Sequence, residues 1–160
     1  AGLKQYRQTT AEDLFVLPLS SLIPLGYGTQ IPLEDKWVLT PEEQLAMRSD
    51  TITIVVPSGK GLEYKFKALK LGSIKYDWHT SESNIVYIDF HGEVDQENPP
   101  EEVFYESYTL AYSNNMAGTF TAPFKGKHGW YFRNKSSKDV TVTLRLEGQY
   151  ELLAESDQDN

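Results

Sequence analysis

Residues 140–146 read Val-Thr-Val-Thr-Leu-Arg-Leu, apolar at every even position and polar between. A period of two puts Val140, Val142, Leu144 and Leu146 on one face of an extended strand and leaves Thr141, Thr143 and Arg145 on the other. The same alternation recurs upstream. Ile52, Ile54 and Val56 share a face, and Leu62, Tyr64 and Phe66 alternate with Glu63, Lys65 and Lys67. Ile74, Tyr76 and Trp78 alternate with Lys75, Asp77 and His79, and Val86, Ile88 and Phe90 with Tyr87, Asp89 and His91. Further β-type runs cover 104–112, 118–122 and 128–134. Pro57-Ser58-Gly59-Lys60-Gly61 and an acidic, proline-bearing stretch at 92–102 read as turns or loops. About eight short strands spaced in this way predict an all-β, antiparallel sandwich of the jelly-roll or GOLD-like type over residues 50–150.

Outward from that block the pattern fades. Residues 1–49 are expected to form an appended arm and a short helix. Pro18, Pro24 and Pro32 with Gly26 and Gly28 break up apolar patches such as Leu-Phe-Val-Leu at 14–17, which reads as an extended arm docked on the domain. Thr40-Pro41-Glu42-Glu43 has Thr at the N-cap, Pro at the first helical position and Glu where a capping box closes, predicting a helix over 41–48. The tail, 151–160, ends Glu-Ser-Asp-Gln-Asp-Asn and is expected to be acidic and disordered.

The composition narrows the class of function. A formal charge of −8 argues against a phosphate-binding surface, which needs clustered Lys and Arg, and the basic clusters Lys65-Phe66-Lys67 and Lys125-Gly126-Lys127 are brief, so no nucleic-acid partner is expected. With no cysteine there are no disulfides, thiolate metal sites or cysteine nucleophiles. The most apolar run, 14–25, is interrupted by Pro18 and Pro24 and is shorter than the roughly 20 residues a membrane helix needs. Beginning at Ala1-Gly2, the chain reads as processed or trimmed, with an anchor expected upstream.

Four motifs carry a resemblance: Gly61-Leu62-Glu63-Tyr64-Lys65, Asp89-Phe90-His91-Gly92-Glu93, Glu106-Ser107-Tyr108 and His128-Gly129-Trp130-Tyr131-Phe132-Arg133-Asn134. Over residues 50–150 they resemble a group of bacterial proteins labelled transmembrane anchor proteins, and more distantly a GOLD-type sandwich. The resemblance implies an extracytoplasmic, periplasmic β domain tethered by an N-terminal membrane helix, with a protein or membrane-associated complex as partner.

Catalysis finds little support. No Gly-x-Ser-x-Gly is present, and the serines sit mainly in turns, so the chain is read as non-enzymatic. Asp77, Asp89, Glu93 and Glu106 are candidate acid–base carboxylates, against the plainer reading that they solvate outer faces. A hairpin joining strands 73–79 and 85–91 would hold His79 and His91 about 20 Å apart, at opposite ends of the ladder. A shared transition-metal site is instead assigned to His91, His128 and Glu93, although His128 shares the parity of Trp130 and Phe132 and would then point into the core. Tyr87, Tyr105 and Tyr131, with Asp89 and Glu106, form the candidate ligand or partner surface. Asn134-Lys135-Ser136 fits a glycosylation sequon, but Asn134 is expected to close the turn after its strand. Three functions follow: a non-catalytic, membrane-tethered interaction module, a metal- or small-ligand-binding protein using the His91/His128 rim, and a carbohydrate-binding module. No cofactor is expected beyond that possible metal.

Overall fold

The computed structural model describes residues 43–96, 105–154 and 158. Nine strands run in chain order: β1 (Met47–Val56), β2 (Gly61–Ala68), β3 (Ser73–Thr80), β4 (Val86–Val94), β5 (Tyr105–Ser113), β6 (Asn115–Thr121), β7 (Gly126–Arg133), β8 (Val140–Gln149) and β9 (Glu151–Leu152). They form two antiparallel sheets, ordered β1-β8-β3-β6 and β5-β4-β7-β2-β9. The pairs β1–β8, β2–β7, β3–β6 and β4–β5 are nested inside one another. This is a long hairpin wrapped into a jelly roll, and the sandwich expected from the alternation is present.

The even positions of 140–146 do face inward. Val140, Val142, Leu144 and Leu146 are buried while Thr141, Thr143 and Arg145 face outward. Between the sheets Trp78 meets Phe132 edge to face at 5.3 Å, and within the five-stranded sheet the cross-strand pair Phe90 and Trp130 stacks at 4.4 Å. Such aromatic pairs add about 0.5–1.5 kcal/mol each beyond the area they bury. Tyr150 closes one end of the core. Its hydroxyl donates to Asp50 Oδ2 at 2.7 Å and to the Leu146 carbonyl at 3.1 Å.

Three expectations need correction. β3 and β4 do not form a hairpin: β3 pairs with β6 and β8, and β4 with β5 and β7. A 3-10 turn at Ser81–Ser83, with Glu82 and Ser83 at φ 50° and 55°, carries the chain across from one sheet to the other. Alternation specifies which side chains face the core, and a crossover keeps that parity as well as a hairpin does. The helix expected over 41–48 is contradicted at its end, since Met47 and Arg48 already pair with Gln149 and Gly148 in β1. Ladder bonds and the Arg48–Asp50 ion pair at 2.7 Å outweigh the capping signal there. Residues 41 and 42, like the proposed arm at 1–40, lie outside the described residues.

The tail is ordered where it is described. Leu152 and Glu151 pair with Phe66 and Lys67. The Gln158 amide then accepts from Lys65 N–H at 2.8 Å and donates to the Lys65 carbonyl at 2.9 Å, supplying a side-chain substitute for the next ladder rung.

Candidate functional site

The outer face of the five-stranded sheet is a lattice fixed by register. Lys65, Gly129, His91 and Ser107 lie opposite one another in a single row across β2, β7, β4 and β5. The row on one side holds Glu63, Tyr131, Asp89 and Leu110, and that on the other Lys67, Lys127, Glu93 and Tyr105. Glycine at the centre of this lattice lets side chains from β2 and β4 meet across β7. A Cβ at 129 would run into the Tyr64 carbonyl oxygen and lie 2.8 Å from Lys65 Cα.

Lys65 is the pivot. It is 2 % exposed, and its ammonium contacts Glu63 Oε2 at 2.6 Å and Glu93 Oε1 two strands away. Burial disfavours its charge, but the bonds to Glu63 and Glu93 more than offset this and hold the ammonium above the usual lysine range. His91, also buried, donates from Nδ1 to the Asp89 carbonyl at 3.1 Å, because a carbonyl can only accept. Its Nε2 then faces Glu63 Oε1 at 3.6 Å, and Tyr105 meets the ring edge-on at 5.7 Å. Glu63, Asp89, His91, Glu93, Tyr105 and Tyr131 line an open depression of about 410 Å³. A second depression, of about 530 Å³, adjoins it through Glu93 and includes Lys67, Lys125 and Lys127.

The structure brings most of the sequence-predicted residues together on this face: Tyr87, Asp89, His91 and Glu93 from β4, Tyr131 from β7 and Tyr105 from β5. It separates two from them. His128 pairs opposite Gly92, one position along from the His91–Gly129 pair, and so projects to the other face. It is fully buried. Nε2–H donates to the Phe124 carbonyl at 3.1 Å and Nδ1 accepts from the Tyr108 hydroxyl at 2.9 Å. Desolvation pushes its pKa down to about 4. Both ring nitrogens are occupied, so the expected His91/His128/Glu93 metal site does not form. Glu106 likewise lies opposite Gly92 and takes the inner face, where Oε2 is buried without a hydrogen-bond partner among the described residues.

Glu63 and Lys65 take the places left by His128 and Glu106, and the sequence reading missed both. Their outward parity was visible, but nothing local indicates that a single strand, β7, separates β2 from β4. His79, on the outer face of the four-stranded sheet opposite Asn115 and Thr143, takes no part.

Elsewhere Asn134 is buried at the end of β7. It donates to the Val56 and Lys138 carbonyls at 3.0 and 2.7 Å and accepts from Ser136 N–H at 2.9 Å. It closes the turn and ties the end of β1 to that of β7. Among the described residues no helix is long and apolar enough to cross a membrane. Compared with known protein families and with curated proteins, the chain matches none.

Proposed function

We propose that this protein is a non-catalytic interaction module that receives a protein partner on the outer face of β4 and β5. One observation carries the reading. Tyr105, Leu110 and Tyr112 are 58 %, 59 % and 62 % exposed, all on the outer side of β5, an edge strand. Tyr87 packs against Tyr112 at 5.3 Å and extends the stripe inward. Solvent-facing tyrosine and leucine concentrated on one strand, beside a sheet edge that no described strand shares, is what a docking surface offers: apolar area, hydroxyls for orientation and backbone groups for strand addition. In the proposal the domain is exported and tethered to a membrane, as in the anchor proteins and GOLD-type sandwiches it resembles, and that sequence resemblance is the support for this part.

A photo-crosslinking residue placed at Leu110 or Tyr112 in the full-length protein in its own cells tests the surface, with His79 on the opposite sheet as the control position. Adducts from 110 and 112, lost on Tyr87→Ala, are expected. Equal adducts from position 79, or adducts from there alone, rule out this face. Fractionation of the same cells checks the tether.

A second reading rests on Tyr105 and Tyr131 sharing the depression with three carboxylates, an arrangement of ring faces and hydrogen-bond acceptors suited to a saccharide. Amide chemical shifts of the residues around it on addition of cellohexaose or chitohexaose test that reading, and unchanged shifts at millimolar sugar discard it.

A further inference from the structure

The buried imidazole of His91 is pinned on one side. With Nδ1–H committed to the Asp89 carbonyl, Nε2 is the ring atom left to take a ligand. Nε2 faces Glu63 Oε1 at 3.6 Å, at the wall of the open depression. A ring nitrogen and a carboxylate oxygen placed face to face are two donors between which a cation can stand. Two ligands of a tetrahedral metal, each at about 2.0–2.1 Å from the ion, stand about 3.3 Å apart, a separation this pair reaches with a small side-chain shift. Glu93 offers a third donor, and the ligand atoms of Glu63, His91 and Glu93 all lie within 4.8 Å of one another.

We propose that Glu63, His91 and Glu93 bind one divalent transition-metal ion, of the zinc, cobalt or nickel class, in exchange for the Lys65 ammonium. Lys65 marks the position as one built for positive charge, since it already contacts both carboxylates. Its four-carbon stem lets it swing out toward solvent when a stronger cation arrives. The imidazole nitrogen selects against magnesium and calcium, which favour all-oxygen shells. Asp89 completes the design from behind. Its carbonyl fixes the ring, and its Oδ1, buried and without a hydrogen-bond partner among the described residues, stands 3.7 Å from His91 Nδ1. A carboxylate there raises the basicity of the ligating ring. The open coordination positions face the depression between Tyr105 and Tyr131. The site adjoins the β5 docking surface through Tyr105, but none of its three ligands lies on β5, so either reading can fail without the other.

Cobalt(II) titration of the intact chain at pH 7.5, followed by visible absorption and thermal unfolding, tests the site. Saturable binding of one ion per chain is expected, displaced by zinc, with a melting temperature that climbs with metal concentration. Glu63→Gln and His91→Gln should each weaken binding at least tenfold, Lys65→Met should strengthen it by a similar factor, and His79→Gln should leave it unchanged. If His91→Gln does not fold, Glu93→Gln serves in its place. Affinity unaltered in folded Glu63→Gln and Glu93→Gln overturns the proposal. So does the absence of saturable binding at millimolar metal in both the wild type and Lys65→Met.

Discussion

The Tyr108 hydroxyl donates a 2.9 Å hydrogen bond to Nδ1 of His128, and this bond fixes the imidazole as a neutral acceptor inside the core. The other nitrogen must carry the proton, because it donates to the Phe124 carbonyl. Phe66, Phe120 and Phe124 pack their rings around it. Burial takes the ring out of water and disfavours its charged form, which is why its pKa falls to about 4.

Stability should therefore depend on acid in a particular window. His128 takes up a proton near pH 6.5 when unfolded but only near 4 when folded, so its contribution is complete above 6.5 and is lost as pH falls through 4. Between pH 7 and 4.5 the loss is about 2 kcal/mol, at roughly 1.4 kcal/mol per pH unit. Urea unfolding of wild type and His128→Leu at both pH values isolates the effect. The variant should lose about 2 kcal/mol less than wild type, and equal losses would show that His128 does not titrate this way.

Two glycines hold the sheet together by their lack of a side chain. A methyl at Gly129 meets β2 backbone, the Tyr64 carbonyl oxygen and Lys65 Cα, which cannot move without parting the strands. At Gly92 it meets the ends of two side chains, the Tyr108 hydroxyl and, at 2.5 Å, His128 Nδ1. At Gly118 it meets Tyr76 Oη at 2.9 Å. Alanine should cost most at 129, about 3 kcal/mol, less at 92 and least, about 1 kcal/mol, at 118, since overpacking against backbone relaxes poorly. Gly92→Ala should also change the acid dependence described above, because it separates Tyr108 from His128. Denaturant midpoints give the order, and a Gly118→Ala loss equal to that of Gly129→Ala contradicts the backbone argument.

Asn134→Ala should destabilise the domain by about 2–4 kcal/mol, removing its bonds to the Val56 and Lys138 carbonyls and from the Ser136 N–H, although the Ser136 hydroxyl still reaches the Lys138 carbonyl. Asn134→Asp should be nearly as damaging, because a carboxylate cannot donate to those carbonyls. Thermal unfolding measures both. Once folded, the sequon at Asn134-Lys135-Ser136 should accept no glycan, since the amide is buried and the Ser136 hydroxyl donates to Asn134 Oδ1 at 2.8 Å. Mass spectrometry of the folded domain after incubation with a glycosylating enzyme checks this.

The sequence alone determined that this chain is a β-sandwich and which side chains fill it. Period-two alternation is a local property, and Val140, Val142, Leu144 and Leu146 face the core because burying the odd positions would put Thr141 and Arg145 there instead. Outward parity for Tyr87, Asp89 and His91 was legible for the same reason, and so was the inward parity of His128, whereas Glu93 fell in a stretch read as loop into which β4 extends as far as Val94. Only the tertiary structure decided which strands are neighbours. Parity is identical whether Ser73–Thr80 turns back on Val86–Val94 or crosses to the other sheet, and the outcome depends on contacts far along the chain: β3 with β8, β4 with β7. The site follows from those contacts. Glu63, His91 and Glu93 meet because β2, β7 and β4 lie side by side and because residue 129, between them, has no side chain.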